Sequence, residues 1–186
     1  GYYSSRVMVT ITSATPGAEI YYTTDGSSPL NAAGGRTTSA RLYTGPLAIS
    51  RTTPLRAAAL KSGLQSSNVD SHTYILLNTD NVGSDGMDAG RVNATFLQQR
   101  QPRGWGNLTS GDYEMDTDIS QSTSPSSGHP GLSVAQAMLQ GMRDIPTVAV
   151  SMSRADFSGG NGIYTNSQSK GFAWERDCAA EFIPAE

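Results

Sequence analysis

The 186-residue sequence predicts a mainly β chain: an antiparallel β-sandwich, then an extended connector and a small α/β terminal unit. Three observations carry that prediction. Short alternations of apolar and polar residues recur from Arg6 to Leu76, separated by turn residues at regular spacing, the pattern of strands that each bury one face. The segments between them leave no room for the helical crossovers that parallel neighbours require. The alternation stops at Leu77, and a helical period appears only after Pro130.

The elements follow in order. Residues 6–14, RVMVTITSA, set Val7, Val9 and Ile11 on one face and Met8, Thr10 and Thr12 on the other, until Thr15-Pro16-Gly17 stops the strand. AEIYYTT, 18–24, resumes the period with Ile20 and Tyr22 opposed to Tyr21 and Thr23. Asp25-Gly26 closes it, because glycine accepts positive φ and aspartate hydrogen-bonds its own turn. After a polar loop from Asn31 to Ser39, RLYTGPLAIS and TPLRAAALKSG alternate again, with Leu47, Ile49, Leu55, Ala57 and Ala59 expected inward. Lys61-Ser62-Gly63 reads as a turn and Val69–Leu76 as the last strand of this module, residues 1–76. Pro and polar residues protect its edges.

Residues 77–130 are rich in Asn, Asp, Gly, Gln and Ser, with QSTSPSSGHP as the most linker-like part. Phe96, Leu97, Trp105, Tyr113, Met115 and Ile119 are the anchors expected to hold this connector. In the terminal unit, 131–186, Leu132, Ala135, Met138, Leu139 and Met142 recur at helical spacing behind Ser133, a candidate N-cap. Asp144-Ile145-Pro146 ends the helix. TVAVSM then reads as a strand, followed by a glycine-rich turn, GIYTN as a second strand and CAAEFI as a third.

Net charge is −3 with no cluster of Lys or Arg, which leaves no electrostatic basis for binding a phosphate backbone. No apolar run approaches the roughly 20 residues of a membrane-spanning helix. The opening Gly1-Tyr2-Tyr3-Ser4-Ser5 lacks the basic-then-apolar order of a signal peptide, so the expectation is a mature or excised segment. The single Cys178 cannot pair within the chain and is expected to be a small buried residue beside Ala179 and Ala180.

The run ITSATPGAEIYYTTDGSSP, then RLYTGPLAIS, TPLRAAALKSG and HTYIL, resembles the chitobiase/β-hexosaminidase C-terminal type of immunoglobulin-like or fibronectin type III-like module across residues 1–76. The resemblance implies a secreted or surface-attached bacterial protein in which the module is a spacer or accessory domain beside a catalytic unit. DYEMDTDI, the helix leading into IPTVAVSM, and GIYTNSQSKGFAWERDCAAEFI are similar to the region preceding the kinase-like core of CotH-type exported bacterial proteins. That core, with its nucleotide- and metal-binding residues, would lie beyond Glu186, so no catalytic residue is carried over.

The candidate chemistry is sparse. In YYTTDGSSP, Tyr21 offers a face to a sugar and Asp25 an acceptor for its hydroxyls, with Trp105 as a further aromatic. The alternative, in which Tyr22 fills the sandwich and Asp25-Gly26 makes the turn, gives every residue a sufficient role. DYEMDTD places Asp112, Glu114, Asp116 and Asp118 at alternate positions, and an extended chain would send all four carboxylates to one side, as a hard cation such as calcium requires. The glycine and glutamate of an EF-hand loop do not fall in register, and the plainer reading keeps the carboxylates in water while Tyr113 and Met115 pack. Asp80, Asp85 and Asp88 form a weaker set.

Hydrolase motifs fail. GLSVA around Ser133 lacks the last glycine and the preceding strand of a nucleophile elbow. SQSK, Ser167–Lys170, lacks partner motifs, and His72 and His129 give neither a triad nor a metal-ligand spacing. In FAWERD, Arg176 is expected to pair with a carboxylate while Trp174 anchors a β-edge. Asn93 and Asn107 head N-glycosylation sequons that matter only in a host that modifies them.

The reading is a non-catalytic, extracellular or cell-surface structural, adhesion or spacer module. It needs no cofactor, with calcium the one left open. Its partners would be other domains or copies of the parent protein, or a polysaccharide, with no nucleic acid and no membrane span. The alternatives are a carbohydrate-binding accessory domain and the N-terminal portion of a CotH-type protein lacking its catalytic core.

Overall fold

The computed structural model describes residues 1–77, 119 and 122–186. Its strands are β1 (Tyr2–Tyr3), β2 (Val7–Val9), β3 (Glu19–Thr23), β4 (Arg41–Leu42), β5 (Leu47–Ile49), β6 (Thr53–Leu60), β7 (Asp70–Leu76), β8 (Thr147–Ser151) and β9 (Ala179–Ile183). The helices among the described residues are α1 (Val134–Asp144) and α2 (Arg154–Ser158), with a 3-10 turn at Phe172–Trp174. The fold is mainly β and sandwich-like. A five-stranded sheet runs β1-β7-β6-β3-β4, beside the two-stranded sheets β2-β5 and β8-β9.

Local sequence explains the pairings. Tyr21 stands opposite Ala58 and Tyr22 opposite Ala57, so large rings on β3 lie beside the smallest side chains on β6, which fits them onto one pleated surface. In β2, Val7 and Val9 are half-buried while Met8 is exposed, as the alternation requires. Ile49 of β5 and Leu55 of β6 are buried. The alternation in β6 changes phase beyond Arg56: Ala58 is buried whereas Ala57 and Ala59, the expected inward residues, are half-buried. Residues paired across antiparallel strands share a face, so Ala58 lies with Tyr21, whose ring is covered by the Arg36 guanidinium at 5.7 Å. The polar loop after β3 therefore covers a second face that a half-solvated sheet would leave open.

The first strand pairs in parallel with the last strand of the module. The Gly1 nitrogen donates to the Thr73 carbonyl at 2.7 Å, Ile75 N–H to Gly1 O at 2.9 Å and Leu77 N–H to Tyr3 O at 2.8 Å. The rings of Tyr3 and Tyr74 stack with centroids 5.4 Å apart.

In the terminal unit, Ser133 caps α1 by accepting from Gln136 N–H, and the Gln136 side chain accepts from Ser133 N–H, a complete capping box. The last residues of the expected connector fold onto this helix start, with Ser126 N–H donating to Leu132 O at 2.9 Å and Val134 N–H to Ser124 O at 2.9 Å. TVAVS and AAEFI form the antiparallel β8–β9 pair. GIYTN is not a strand. Ile163 N–H and Tyr164 N–H return to the carbonyls of Asp156 and Phe157, and the buried Asn166 amide donates to Gly160 O and Gly162 O. Those bonds commit the backbone to turns that follow α2.

Both parts of the chain supply one apolar cluster. Tyr2, Leu77 and Ile183 are buried in it, and Ile75, Met138, Leu139, Met142 and Ala149 pack against them. The helical stripe of α1 thus faces residues on β1 and β7. Burying a side chain such as Ile183 contributes about 1.5–3 kcal/mol.

Candidate functional site

The Tyr21–Pro29 stretch is a structural corner. Asp25 Oδ1 accepts from Ser27 N–H at 3.0 Å and from Ser27 Oγ at 2.5 Å, an Asx turn, and Thr23 Oγ1 donates to Ser27 O at 2.6 Å. Gly26 takes φ +80°. The turn does not close a tight hairpin, because the neighbouring strand β4 begins only at Arg41. Tyr22 meets Tyr43 edge-on, with ring centroids 6.5 Å apart. Tyr21 donates its hydroxyl to Glu19 Oε2 at 2.9 Å, and that bond, with partial burial and the Glu19 charge behind it, holds the phenol proton above its ordinary value. One face of the Tyr21 ring lies under Arg36.

What the corner does is join the two parts. Gly26 is buried, and a β-carbon there would lie 2.4 Å from the Met152 carbonyl oxygen, so the residue after β8 closes directly on the turn. Arg56 Nη1 donates to Gly26 O at 3.1 Å and its Nε to Ser71 Oγ at 3.2 Å. Two further links complete the seam. Glu181 on β9 accepts from the Thr73 amide at 2.5 Å and stands 3.7 Å from His72 Nδ1. The Tyr2 and Thr147 hydroxyls hydrogen-bond to each other. With the His72 side chain 69% exposed, the ion pair adds little, and the bond to the Thr73 amide is the specific link.

A polar groove of about 880 Å³ is lined by the 28–35 and 64–69 loops with Arg56, Asp177 and Cys178. Cys178 is exposed at its rim, which corrects the expectation of a buried thiol. It precedes β9 and faces the groove instead of packing with the alanines that follow it in the chain. A second opening of about 680 Å³ contains Tyr22, Asp25 and Arg41 together with β5. Asp25 lines this second opening and Tyr21 does not.

Arg176 does pair with a carboxylate, its Nε 3.7 Å from Asp156 Oδ1. Its remaining nitrogens donate to the carbonyls of Ala173, Glu175 and Asn161. Its guanidinium lies 5.7 Å over the Trp174 ring. Trp174 stands in the 3-10 turn, not on a β-edge, because Gly171 at φ +92° turns the chain into that short helix. Ser133 is spent on capping α1. Trp105, the carboxylates Asp112, Glu114, Asp116 and Asp118, the set Asp80, Asp85 and Asp88, the sequons at Asn93 and Asn107, and the anchors Phe96, Leu97, Tyr113 and Met115 lie outside the described residues. Ile119 is 40% exposed. Among the described residues no group of three His, Cys, Asp or Glu side chains is placed to hold a metal ion, and no helix is long and apolar enough to cross a membrane.

The described residues form a β-sandwich-like module with a small α/β unit packed on it. Residues 9–74 match the family model described as Fn3 associated, which covers β2's last residue through most of β7 and places this part of the chain with fibronectin type III-associated modules. No curated protein and no solved structure matches the chain.

Proposed function

We propose that the chain is a non-catalytic structural module of a secreted or surface-attached bacterial protein, working as a spacer or assembly element that holds neighbouring domains or copies in fixed relation. One observation carries this reading: the Gly26 corner, the Thr73 amide on β7 and the apolar cluster around Tyr2 and Leu77 are all met by the terminal unit, through Gly26–Met152, Thr73–Glu181 and Tyr2–Leu77–Ile183. A surface used up in joining two parts suits load transmission and orientation better than turnover. Localisation outside the cell follows from the resemblance to chitobiase C-terminal-type modules and to the segment preceding CotH-type cores.

The test combines fractionation of the native host with an assay for phosphate transfer from ATP. The expected result is envelope or extracellular recovery, digestion by protease added to intact cells, and no transfer by the purified chain. Recovery in the cytosol alone, or transfer above background, overturns the proposal.

The polar groove favours a second reading, a saccharide-binding accessory domain. Asn31, Ser66, Asn68, Arg56 and Asp177 line it, a set rich in hydroxyl and amide groups able to exchange hydrogen bonds with sugar hydroxyls. Retention on a panel of insoluble and soluble glycans, lost in Asp177→Ala, would support it. Absence of retention across the panel removes it.

A further inference from the structure

We propose that the opening between β3–β4 and β5 binds an acidic polysaccharide, a sugar chain bearing carboxylate or sulfate groups, held by the guanidinium groups of Arg41 and Arg51 beside the ring of Tyr22. The site differs from the polar groove in place and in charge, and the inference rests on neither of the readings above.

Several arginines spend their charge within the fold. Arg56 donates to Gly26 O and Ser71 Oγ, Arg143 lies 3.6 Å from Glu186 Oε2, Arg176 pairs with Asp156, and Arg36 covers the Tyr21 ring. Arg41 and Arg51 are exposed, and among the described residues neither has an acidic partner. Both line one opening of about 680 Å³, a size within the roughly 300–1,000 Å³ of ligand clefts. Asp25 lines the same opening, but its Oδ1 is held by Ser27 N–H and Oγ. Two guanidinium groups against one carboxylate leave the opening positive in a chain whose net charge is −3.

The strands set the geometry. Arg41 on β4 is the register partner of Tyr22 on β3, so the two side chains share a face, and both line the opening. The Tyr22 ring is half-buried and edge-on to Tyr43, which fixes one wall. Ile49 and Thr53, both buried, make the floor. Arg51 stands in the turn between β5 and β6, where its carbonyl accepts from Thr53 Oγ1 at 2.8 Å. Thr24 and Ser50 add hydroxyls. A guanidinium fork takes two oxygens of a carboxylate or sulfate at once, the ring offers an apolar face to a sugar, and the hydroxyls exchange hydrogen bonds with sugar hydroxyls. A ring and hydroxyls beside the charges select a sugar acid over an acidic peptide, whose backbone asks for strand amides. Two arginines also fall short of the row of phosphate contacts that a nucleic acid requires.

Fluorescence anisotropy of the full chain with labelled oligogalacturonate, sulfated dextran, neutral dextran and polyglutamate, at low and physiological salt, tests this. The acidic saccharides are expected to bind and neutral dextran not to, with affinity falling as salt screens the exposed charges. Arg41→Ala and Arg51→Ala should each weaken binding by about tenfold or more, and Arg41→Lys and Arg51→Lys, which keep the charge but lose the fork, by less. Asp177→Ala, in the separate groove, should leave binding unchanged. Far-UV circular dichroism reports whether each variant is folded, and should an alanine variant not fold, the lysine variant carries the test. The tighter of the two acidic saccharides identifies the acid group. Failure of both to bind, equal binding of neutral dextran or of polyglutamate, or full binding by the folded arginine variants overturns the inference. Loss in Asp177→Ala alone would move the saccharide to the polar groove and overturn it as well. None of these outcomes touches the spacer reading, which falls only on localisation or phosphate transfer.

Discussion

The α-carbon of Gly26 faces the carbonyl oxygen of Met152 so closely that a β-carbon would lie 2.4 Å from it. Two residues far apart in the chain thereby define where the terminal unit meets the sandwich. Gly26→Ala is expected to destabilise the fold by about 2–4 kcal/mol, combining the positive φ with a clash against backbone that cannot move aside. Gly17, also at positive φ but with open space around it, supplies the control. Gly17→Ala should cost only about 1 kcal/mol. Urea unfolding of the two variants measures the difference, and equal losses would mean that the Met152 contact contributes nothing.

Glu181 anchors the same seam from the other side. Glu181→Ala leaves the Thr73 amide without its acceptor and is expected to cost about 1–3 kcal/mol, with faster hydrogen exchange at Thr73. Glu181→Gln keeps an acceptor oxygen and should lose less. Unchanged exchange in the alanine variant would assign the bond no energetic role.

Tyr74 provides a pH signature. Partial burial raises its pKa above the ordinary value of 10.0, with the neighbouring Tyr3 and Glu181 adding to the shift. The folded state therefore prefers the protonated phenol. Its contribution to stability is complete below the unfolded pKa and is lost as pH climbs through the higher folded value. Tyr74→Phe should flatten the alkaline part of a stability-against-pH curve relative to wild type. Parallel curves above pH 10 for the two proteins would refute the assignment.

Ser133→Ala removes one half of the capping box on α1. The expected loss is about 1 kcal/mol, read by thermal or chemical unfolding. Because Met138, Leu139 and Met142 of that helix pack on the cluster shared with Tyr2 and Leu77, the transition should remain single for both halves of the chain. Two separate transitions would contradict the shared core.

Much of the architecture was legible because its strands obey period two and its turns use the residues that turns demand. Val7 against Met8, Leu47 and Ile49 against Ala48, and Ser133 before an apolar helical stripe all fall where simple periodicity puts them. The departures have two kinds of cause. The burial of Ala58 in place of Ala57 and Ala59 goes with the covering of its partner Tyr21 by Arg36, and the exposure of Cys178 with the groove beside β9, both set by contacts distant in sequence; GIYTN and Trp174 are placed by short-range bonds and turns at Asn166 and Gly171 that a period-two pattern does not register. The residues of Asp25-Gly26 specify a turn, yet its position in the seam depends on Met152, more than a hundred residues on, and no local pattern announces such a meeting.

The parallel pairing of β1 with β7 has a mechanical meaning. Tension applied at residue 1 and taken off at residue 77 would pull the two strands lengthwise past each other, so the bonds at Thr73, Ile75 and Leu77 must yield together instead of opening one after another. A module pulled in that direction resists rupture more than the two-residue length of its first strand suggests, which is a useful property in a tether.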